Sequence, residues 1–206
     1  MPKKRSKDKR QPNKRILILC EGEKTEPFYF KGLKRDKSNS NRLAALRIEI
    51  YDSQKNTARE LVAEAKYLKS QAIREKNPYD DIWIVVDKDG YTKHPQAFDQ
   101  AKANKINISF SSISFEFWFL LHHTYTTKAF NSSDELIKYI KTHYIPDYKK
   151  NDDNYSKLKD KISTAIHNAE KIRIHWAKIK NDWEKKRYEI NPFTDVDVLV
   201  KRLLSL

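Results

Sequence analysis

Two short, continuously apolar segments of this chain each end at an acidic residue. Residues 15–20 read Arg-Ile-Leu-Ile-Leu-Cys and are followed by Glu21, whereas residues 81–86 read Asp-Ile-Trp-Ile-Val-Val and are followed by Asp87. A short apolar run without alternating polar residues is typical of a strand that is buried on both faces. Such strands lie in parallel sheets covered by helices on both sides, so the sequence predicts an α/β fold.

Capping residues and proline indicate where helices begin and end between these strands. Thr25 is a candidate cap for a helix after the first strand, and Asp52 and Ser53 are candidate caps for a long helix that Pro78 ends. Ser132, with a glutamate three residues later, forms the pattern of a capping box. The other predicted segments are strands at residues 46–51 and 106–110, helices at about 94–103 and 155–186, helical structure beyond residue 114, and a polar loop at 146–156.

The acids that follow the two apolar runs are expected to meet at one edge of the sheet. In an open parallel sheet, ligands bind outside the carboxyl ends of the strands, where the strand order reverses. If the first and third strands are neighbours, Glu21 and Asp87 converge there, and Asp89 points to the same side as Asp87. Converging carboxylates repel one another, and a divalent cation such as Mg²⁺ removes that repulsion.

Two of the three glycines in the chain directly follow these acids. Gly22 comes after Glu21, and Gly90 comes after Asp89. Glycine permits the close backbone approach that a phosphate site needs, which favours the metal interpretation. The alternative is that each acid only caps the helix that follows it.

The charge balance favours a polyanionic partner. The 206-residue chain has 42 Lys and Arg against 28 Asp and Glu, a formal net charge of +14, and such a field concentrates nucleic acid around a protein. Residues 2–15 hold eight basic residues and one acid, a net +7, without an apolar side chain able to dock. We therefore expect a disordered basic arm at residues 1–14 and a single domain at 15–206, with its core at about 15–125 and a helical extension at about 126–206.

Cysteine usage and hydropathy restrict the compartment. The single cysteine, Cys20, lies within the first apolar run, so it reads as a buried side chain and excludes a disulfide framework or a zinc set. The sequence has no signal peptide and no apolar run of about 18 residues, which predicts a soluble, cytoplasmic protein without membrane contact. The oligomeric state stays open and includes a homo-oligomer.

Four blocks of the sequence together resemble the RloB family, which includes the AbiLii abortive-infection protein. The resemblance extends over roughly residues 15–206. It implies a Toprim-like fold, a role in bacterial phage defence and an AAA-type ATPase partner. The four blocks are residues 20–27 (Cys-Glu-Gly-Glu-Lys-Thr-Glu-Pro), the pair Asp87 and Asp89, residues 114–122 (Ser-Phe-Glu-Phe-Trp-Phe-Leu-Leu-His) and residues 191–196 (Asn-Pro-Phe-Thr-Asp-Val).

The resemblance also implies roles for individual acids. In Toprim proteins, a strand-end glutamate followed by glycine and a later Asp-x-Asp bind Mg²⁺, and these positions match the three acids described above. Similar nucleases of the overcoming-lysogenization-defect class have further acids that match Glu26 and Glu116, the latter in a Ser-x-Glu pattern with Ser114. These residues would hold a second metal. Glu116 can equally be interpreted as a buried acid that hydrogen-bonds a helix start.

Several further residues are candidates for phosphate binding. Lys24 and Lys88 lie beside the acids and could stabilise charge on a phosphate, and Ser114 and His122 are at the two ends of the third block. His122 can also be a structural residue at a helix end. Residues 171–187 combine seven Lys or Arg with two tryptophans, which suits nucleic-acid binding or an amphipathic helix with its tryptophans in the core.

The expected function is a Mg²⁺- or Mn²⁺-dependent endonuclease that hydrolyses DNA or RNA in anti-phage defence. Its catalytic acids would be the three strand-end acids together with Glu116. The rival is a non-catalytic defence subunit that binds nucleic acid or a nucleotide and regulates an ATPase partner. A haloacid-dehalogenase-type phosphatase with Asp87 as nucleophile would need acids after a later apolar strand, and Asp152 and Asp153 lie in a polar stretch instead.

Overall fold

The computed structural model describes residues 14–36, 47–52, 57–88 and 94–205, and strands and helices alternate in it up to residue 121. Two short 3₁₀ turns lie at Lys159–Lys161 and Arg187–Glu189. The elements are β1 (Arg15–Cys20), α1 (Thr25–Arg35), β2 (Arg47–Asp52), α2 (Ala58–Arg74), β3 (Asp81–Asp87), α3 (His94–Ala103), β4 (Asn107–Ser112), α4 (Glu116–Leu121), α5 (Ser133–His143), α6 (Asn154–Leu158), α7 (Ile162–Ile179), β5 (Phe193–Thr194) and α8 (Val196–Leu204).

The strands form one five-stranded sheet in the order β2-β1-β3-β4-β5. The first four strands in this order are parallel to their neighbours, and β5 pairs antiparallel with the end of β4. The chain passes from β1 to β2 on one side and then crosses to β3 on the other side of β1. The strand order therefore reverses between β1 and β3, and a crevice opens outside the carboxyl ends of these two strands.

The central strands are buried along almost their whole length. Residues 16–20 of β1 and 82–86 of β3 are at most 7% exposed, and burial without alternation means that both faces of the sheet are covered. The cover comes from α1 against β2, α2 against β1 and β3, and α3 and α8 against β4. The predicted α/β fold with a parallel sheet is confirmed, and the sheet is mixed only at its β5 edge.

The C-terminal part is helical, as predicted, and it also joins the sheet. β5 comes from this part, so the segment at 126–206 and the segment at 15–125 share one sheet. α4 packs against α5 and α7. Arg173 of α7 donates two hydrogen bonds, of 2.6 and 2.7 Å, to the fully buried carboxylate of Asp197 in α8. The helical extension is therefore tied to the sheet and to itself by buried contacts.

Two helix caps differ from the prediction. α1 begins with Thr25 itself, so Thr25 is not its cap. α2 is capped by Thr57, whose hydroxyl accepts a hydrogen bond from the Glu60 backbone N–H, instead of by Asp52 or Ser53. β2 continues through Asp52, and Ser53 lies outside the described residues. A cap must directly precede the first helical turn, and the strand in fact extends further than its apolar pattern indicated.

The C-terminal helix boundaries differ as well. The predicted loop at 146–156 contains the start of α6, which Asp153 caps by accepting a hydrogen bond from a backbone N–H. The predicted helix at 155–186 is broken by a 3₁₀ turn and ends at Ile179. Ser132 is confirmed as the cap of α5, since its hydroxyl accepts a 3.1 Å hydrogen bond from the backbone N–H three residues later.

Residues 1–13 of the predicted basic arm lie outside the part of the chain that the structure describes. Within the described part, no helix is both long enough and apolar enough to cross a membrane. The tryptophans of the basic segment at 171–187 are partly buried against the core, and the Trp176 Nε1–H donates to the Pro192 carbonyl at 3.0 Å, which favours their interpretation as packing residues.

Candidate acidic site

The register of the two central strands brings Glu21 and Asp87 side by side. Glu21 follows β1 directly, and its N–H donates to the Val85 carbonyl of β3 at 3.0 Å. Asp87 is the last residue of β3, and its N–H donates to the Glu21 carboxylate at 3.0 Å. The two predicted strand-end acids are therefore in contact at the reversal of strand order.

Glu26 reaches the same crevice from the first turn of α1 and is 5% exposed. Its carboxylate lies against Gly22, where a Cβ atom would come within 2.8 Å of Oε1. A side chain at this position would displace the Glu26 carboxylate, which fills the space beside Gly22. The close approach observed at Gly22 is that of the Glu26 carboxylate, and the expected phosphate contact at this glycine stays a prediction.

Asp87 has a strongly perturbed carboxyl group. Its Oδ2 accepts a 3.1 Å hydrogen bond from the Phe115 N–H, whereas its Oδ1 is buried and has no hydrogen-bond partner among the described residues. Burial, followed by the negative charges of Glu26, Glu116 and Glu21, raises the pKa of Asp87 well above its usual range. A buried carboxylate oxygen surrounded by like charges is unfavourable unless it is protonated or a cation binds it.

Glu116 is the fourth acid and begins α4 with only 2% exposure. Its Oε2 accepts a 2.6 Å hydrogen bond from the Ser114 hydroxyl, and its Oε1 accepts one of 2.7 Å from the Tyr148 hydroxyl. Burial and the neighbouring Glu116 charge raise the pKa of Tyr148, so this phenol stays protonated and remains a donor. Both hydrogen bonds described for the Glu116 carboxylate come from side-chain hydroxyls. Glu116 is therefore buried, as one interpretation of the sequence required, but these bonds do not come from the backbone at a helix start.

Lys150 supplies a positive charge at the mouth of the crevice. Its Nζ lies 3.9 Å from Glu116 Oε1, and its side chain is 56% exposed. Tyr148 and Lys150 were both missed from the sequence. They lie in the connection between α5 and α6, where no motif links them to an acid that precedes them by about 30 residues.

The four acids line a pocket of about 430 Å³, and the exposed Glu23 is a fifth acid in its lining. Lys24, Lys150 and two serines also line this pocket, and one of these serines is Ser114. The other is Ser133, the first residue of α5. Of the predicted phosphate-binding residues, Lys24 and Ser114 are therefore in the crevice.

Lys88 and His122 are not brought into this crevice. The Lys88 side chain lines a neighbouring pocket, and its backbone is held by the Ser111 carbonyl at 2.9 Å and by His94, whose Nε2–H donates to the Lys88 carbonyl at 3.1 Å. His122 is 1% exposed, and its Nδ1–H donates to the Trp118 carbonyl at 2.9 Å. Burial lowers the pKa of His122 to about 3, so it is a neutral structural residue.

The described acids fit a hydrated cation better than a closed metal cage. Asp89, the third predicted ligand, lies outside the described residues. Within the described ranges, no three or more His, Cys, Asp or Glu side chains form a group able to hold a metal ion. Mg²⁺ is commonly bound by one or two carboxylates together with several waters, and the partnerless Oδ1 of Asp87 is a suitable ligand atom.

Comparison with known proteins identifies the family of the chain. Neither the search of curated proteins nor the search of solved structures gives a match. The family described as RloB-like protein matches residues 16–203, which contain every described acid of the crevice and all five strands except the first residue of β1. The chain therefore belongs to the RloB-like protein family.

Proposed function

We propose that this chain is a metal-dependent nuclease with a Toprim-type acidic site, which hydrolyses phosphodiester bonds of DNA or RNA. The observation that carries the proposal is the convergence of four acids where the strand order reverses, with the pKa of Asp87 raised by the other three and by burial. Carboxylates that converge in this way are suitable ligands for a divalent cation. Action in anti-phage defence with an AAA-type ATPase partner is the part of the proposal that the family membership supports.

The acids at the strand ends are the proposed metal ligands. Glu21 and Asp87 are in contact, and Asp89 follows within two residues. Bound Mg²⁺ or Mn²⁺ would neutralise charge on the phosphate and lower the pKa of a water. Glu26 faces the same pocket and offers a further carboxylate to that ion or to a second one.

The basic residues of the crevice have a separate proposed role. Glu116 is anchored by Ser114 and Tyr148, and it attracts the Lys150 ammonium towards the pocket. Lys150 and the exposed Lys24 both line the pocket and can contact phosphate oxygens of the substrate. Cation and substrate would then be bound by different groups of one crevice.

A cleavage assay with a matched variant tests the proposal. Purified protein is incubated with supercoiled plasmid, single-stranded DNA and tRNA, each with Mg²⁺, with Mn²⁺ and with EDTA. We expect cleavage of at least one substrate that EDTA abolishes and that Asp87→Asn lowers at least about a hundredfold. Asp160→Asn removes the same charge from an exposed position outside the pocket and should cleave normally. Cleavage that survives EDTA, or equal cleavage by both variants, would contradict the proposal.

A non-catalytic regulatory subunit that binds nucleic acid or a nucleotide is the second candidate. One observation favours it, namely the formal net charge of +14, which attracts nucleic acid whether or not the site cleaves it. Thermal melts separate the two functions without a known substrate, because a ligand stabilises only the state that binds it. A nuclease site predicts that millimolar Mg²⁺ or Mn²⁺ raises the melting temperature of wild type more than that of Asp87→Asn. An absent shift together with nucleic-acid binding favours the regulatory subunit.

A further inference from the structure

Phe28 is an exposed aromatic residue one helical turn beyond the acidic crevice. It is 37% exposed, whereas Tyr29, Phe30 and Leu33 of the same helix are at most 1% exposed. The core of the protein therefore takes the other side of α1. The Phe28 ring faces a second pocket, of about 470 Å³.

One side of α1 connects this pocket with the acidic crevice. Lys24, Phe28, Gly32 and Arg35 follow one another at spacings of four, four and three residues, so they lie along the same helix face. Lys24 lines the crevice, and the other three line the second pocket. At 1.5 Å per residue, this face is about 16 Å long.

The opposite wall comes from α6 and the residues around it. Lys150 lines the acidic crevice and the adjacent Asn151 lines the second pocket, so the two pockets also share this wall. Tyr155 of α6 packs directly against α1, because a Cβ atom at Gly32 would lie 2.6 Å from the Tyr155 Cβ. Neighbouring residues of α1 and of the segment around α6 thus line both pockets, and we refer to the two pockets together as the α1–α6 groove.

The second pocket holds two acidic and two basic residues, so its formal charges balance. Its two acids are engaged by this chain: Asp36 accepts a 2.9 Å hydrogen bond from the Tyr155 hydroxyl, and Asp153 caps α6. Its two basic residues, Arg35 and Lys159, are exposed and have no ion-pair partner within the described ranges. An exposed aromatic ring that shares a pocket with two such cations can stack on a base while the cations contact the flanking phosphates.

We propose that the α1–α6 groove binds an unpaired strand of nucleic acid and leads it to the acidic crevice. One base stacks on Phe28, and the phosphates around it contact Arg35, Lys159 and Lys24. The inference rests on the proposed nuclease function and names its substrate class as single-stranded. Bases of a duplex stack on each other and do not offer a face to a single aromatic side chain, so duplex DNA does not use this contact.

Binding in EDTA, where the proposed cleavage does not occur, tests the groove. The probes are fluorescent oligonucleotides of about 12 nucleotides, oligo-dT and oligo-U, and a blunt duplex of equal length. Phe28→Ala should weaken binding of the single strands about fivefold or more and leave binding of the duplex unchanged. The matched control is Tyr67→Ala, which removes a 58% exposed aromatic ring from α2 and should bind like wild type. The DNA and RNA probes report which single strand is preferred.

A second pair of variants tests the phosphate contacts. Arg35→Gln and Lys159→Gln should each reduce the slope of log affinity against log salt for single strands by about 0.7, the value for one phosphate contact. Lys66→Gln, which removes an exposed charge from α2 outside both pockets, is the control and should change the slope much less. If both groove variants keep the salt slope of wild type, the phosphate contacts proposed for Arg35 and Lys159 are wrong.

The outcomes separate the groove from the nuclease activity. Asp87→Asn should keep single-strand binding and lose cleavage. If wild type cleaves nothing while Phe28→Ala still weakens single-strand binding, the proposed nuclease function is wrong and the proposed binding groove is retained. The groove is overturned if Phe28→Ala binds single strands like Tyr67→Ala, if wild type binds only duplex, or if Phe28→Ala weakens both probes equally. Should Phe28→Ala melt far below wild type, Phe28→Leu keeps the apolar volume, removes the aromatic ring and is read by the same criteria.

Discussion

At the scale of single residues, Asp87 illustrates how the fold changes an ordinary carboxyl group. In the unfolded chain its pKa is about 3.9, whereas burial and three neighbouring glutamates raise that pKa in the folded protein. The folded state therefore binds a proton at Asp87 more tightly than the unfolded state does. This difference is a property of the metal-free protein, because a bound cation would favour the charged form instead.

The sign of the pH effect follows from that difference. In EDTA, lowering the pH from neutral towards the raised pKa of Asp87 should stabilise the protein through this group, and the gain is complete below the unfolded value of about 3.9. Asp87→Asn has no such titration, so its stability should change less with pH than that of wild type. Urea midpoints between pH 5 and 8 measure this. Asp160→Asn should follow wild type, and identical pH profiles for all three proteins would show that Asp87 is not perturbed.

Tyr148 is a second residue whose contribution to stability can be measured with a single substitution. Tyr148→Phe keeps the ring and removes the hydroxyl that donates to Glu116 Oε1 at 2.7 Å. Because the carboxylate oxygen that loses this hydrogen bond is buried, we expect a loss of about 1 to 3 kcal/mol in the free energy of unfolding. Tyr67→Phe removes a hydroxyl from an exposed ring and should cost much less. Equal costs for the two variants would mean that the Tyr148–Glu116 contact contributes nothing to stability.

At the scale of elements, α2 depends on a cap that was not expected from the sequence. Thr57 has extended backbone, and its hydroxyl accepts the Glu60 N–H at 3.3 Å. We expect Thr57→Ala to lower the free energy of unfolding by about 1 kcal/mol, since it leaves a helix N–H without its partner. Thr57→Ser keeps the hydroxyl and should recover most of the loss. If alanine and serine give the same stability in denaturant titrations, the cap is irrelevant.

All six residues of α4 are buried. Trp118 is fully buried, and its ring lies 4.7 Å from the His122 ring. Trp118→Ala should cost about 3 to 5 kcal/mol because it leaves a large cavity in the core, and Trp118→Phe should cost less. Calorimetry measures both. A normal melting temperature combined with lost nucleic-acid binding would instead identify Trp118 as a base-stacking residue.

At the scale of the whole molecule, the net charge of +14 is unevenly distributed. Residues 2–13 hold six basic residues and one acid, while Arg15 belongs to β1 and pairs with Glu49 at 2.9 Å. Deletion of residues 2–13 should weaken nucleic-acid binding and reduce the salt slope for duplex DNA by up to about five. We expect an unchanged melting temperature, because the deleted segment has no apolar residue for the core. An unchanged slope would assign the segment another role.

Much of the sheet could be predicted from local patterns. β1 and β3 are two short apolar runs, and their continuous burial depends only on the side chains within each run. Glu21 and Asp87 could be paired because parallel strands end at the same edge of a sheet. The two-residue strand β5 gave no such signal, since a strand of this length has no periodicity, and its pairing with β4 joins residues more than 80 positions apart.

The acids at the strand ends can be found in the sequence alone, because the apolar pattern that forms a buried strand also shows where that strand ends. The environment of those acids cannot be found in the sequence alone. The partners of Glu116, the contact of Glu26 with Gly22 and the exposure of Phe28 follow from how α1, α4 and the segment before α6 pack around the crevice. Burial, charge and hydrogen bonding at a site are sums over groups distant in sequence. Only the tertiary structure brings those groups within interaction distance.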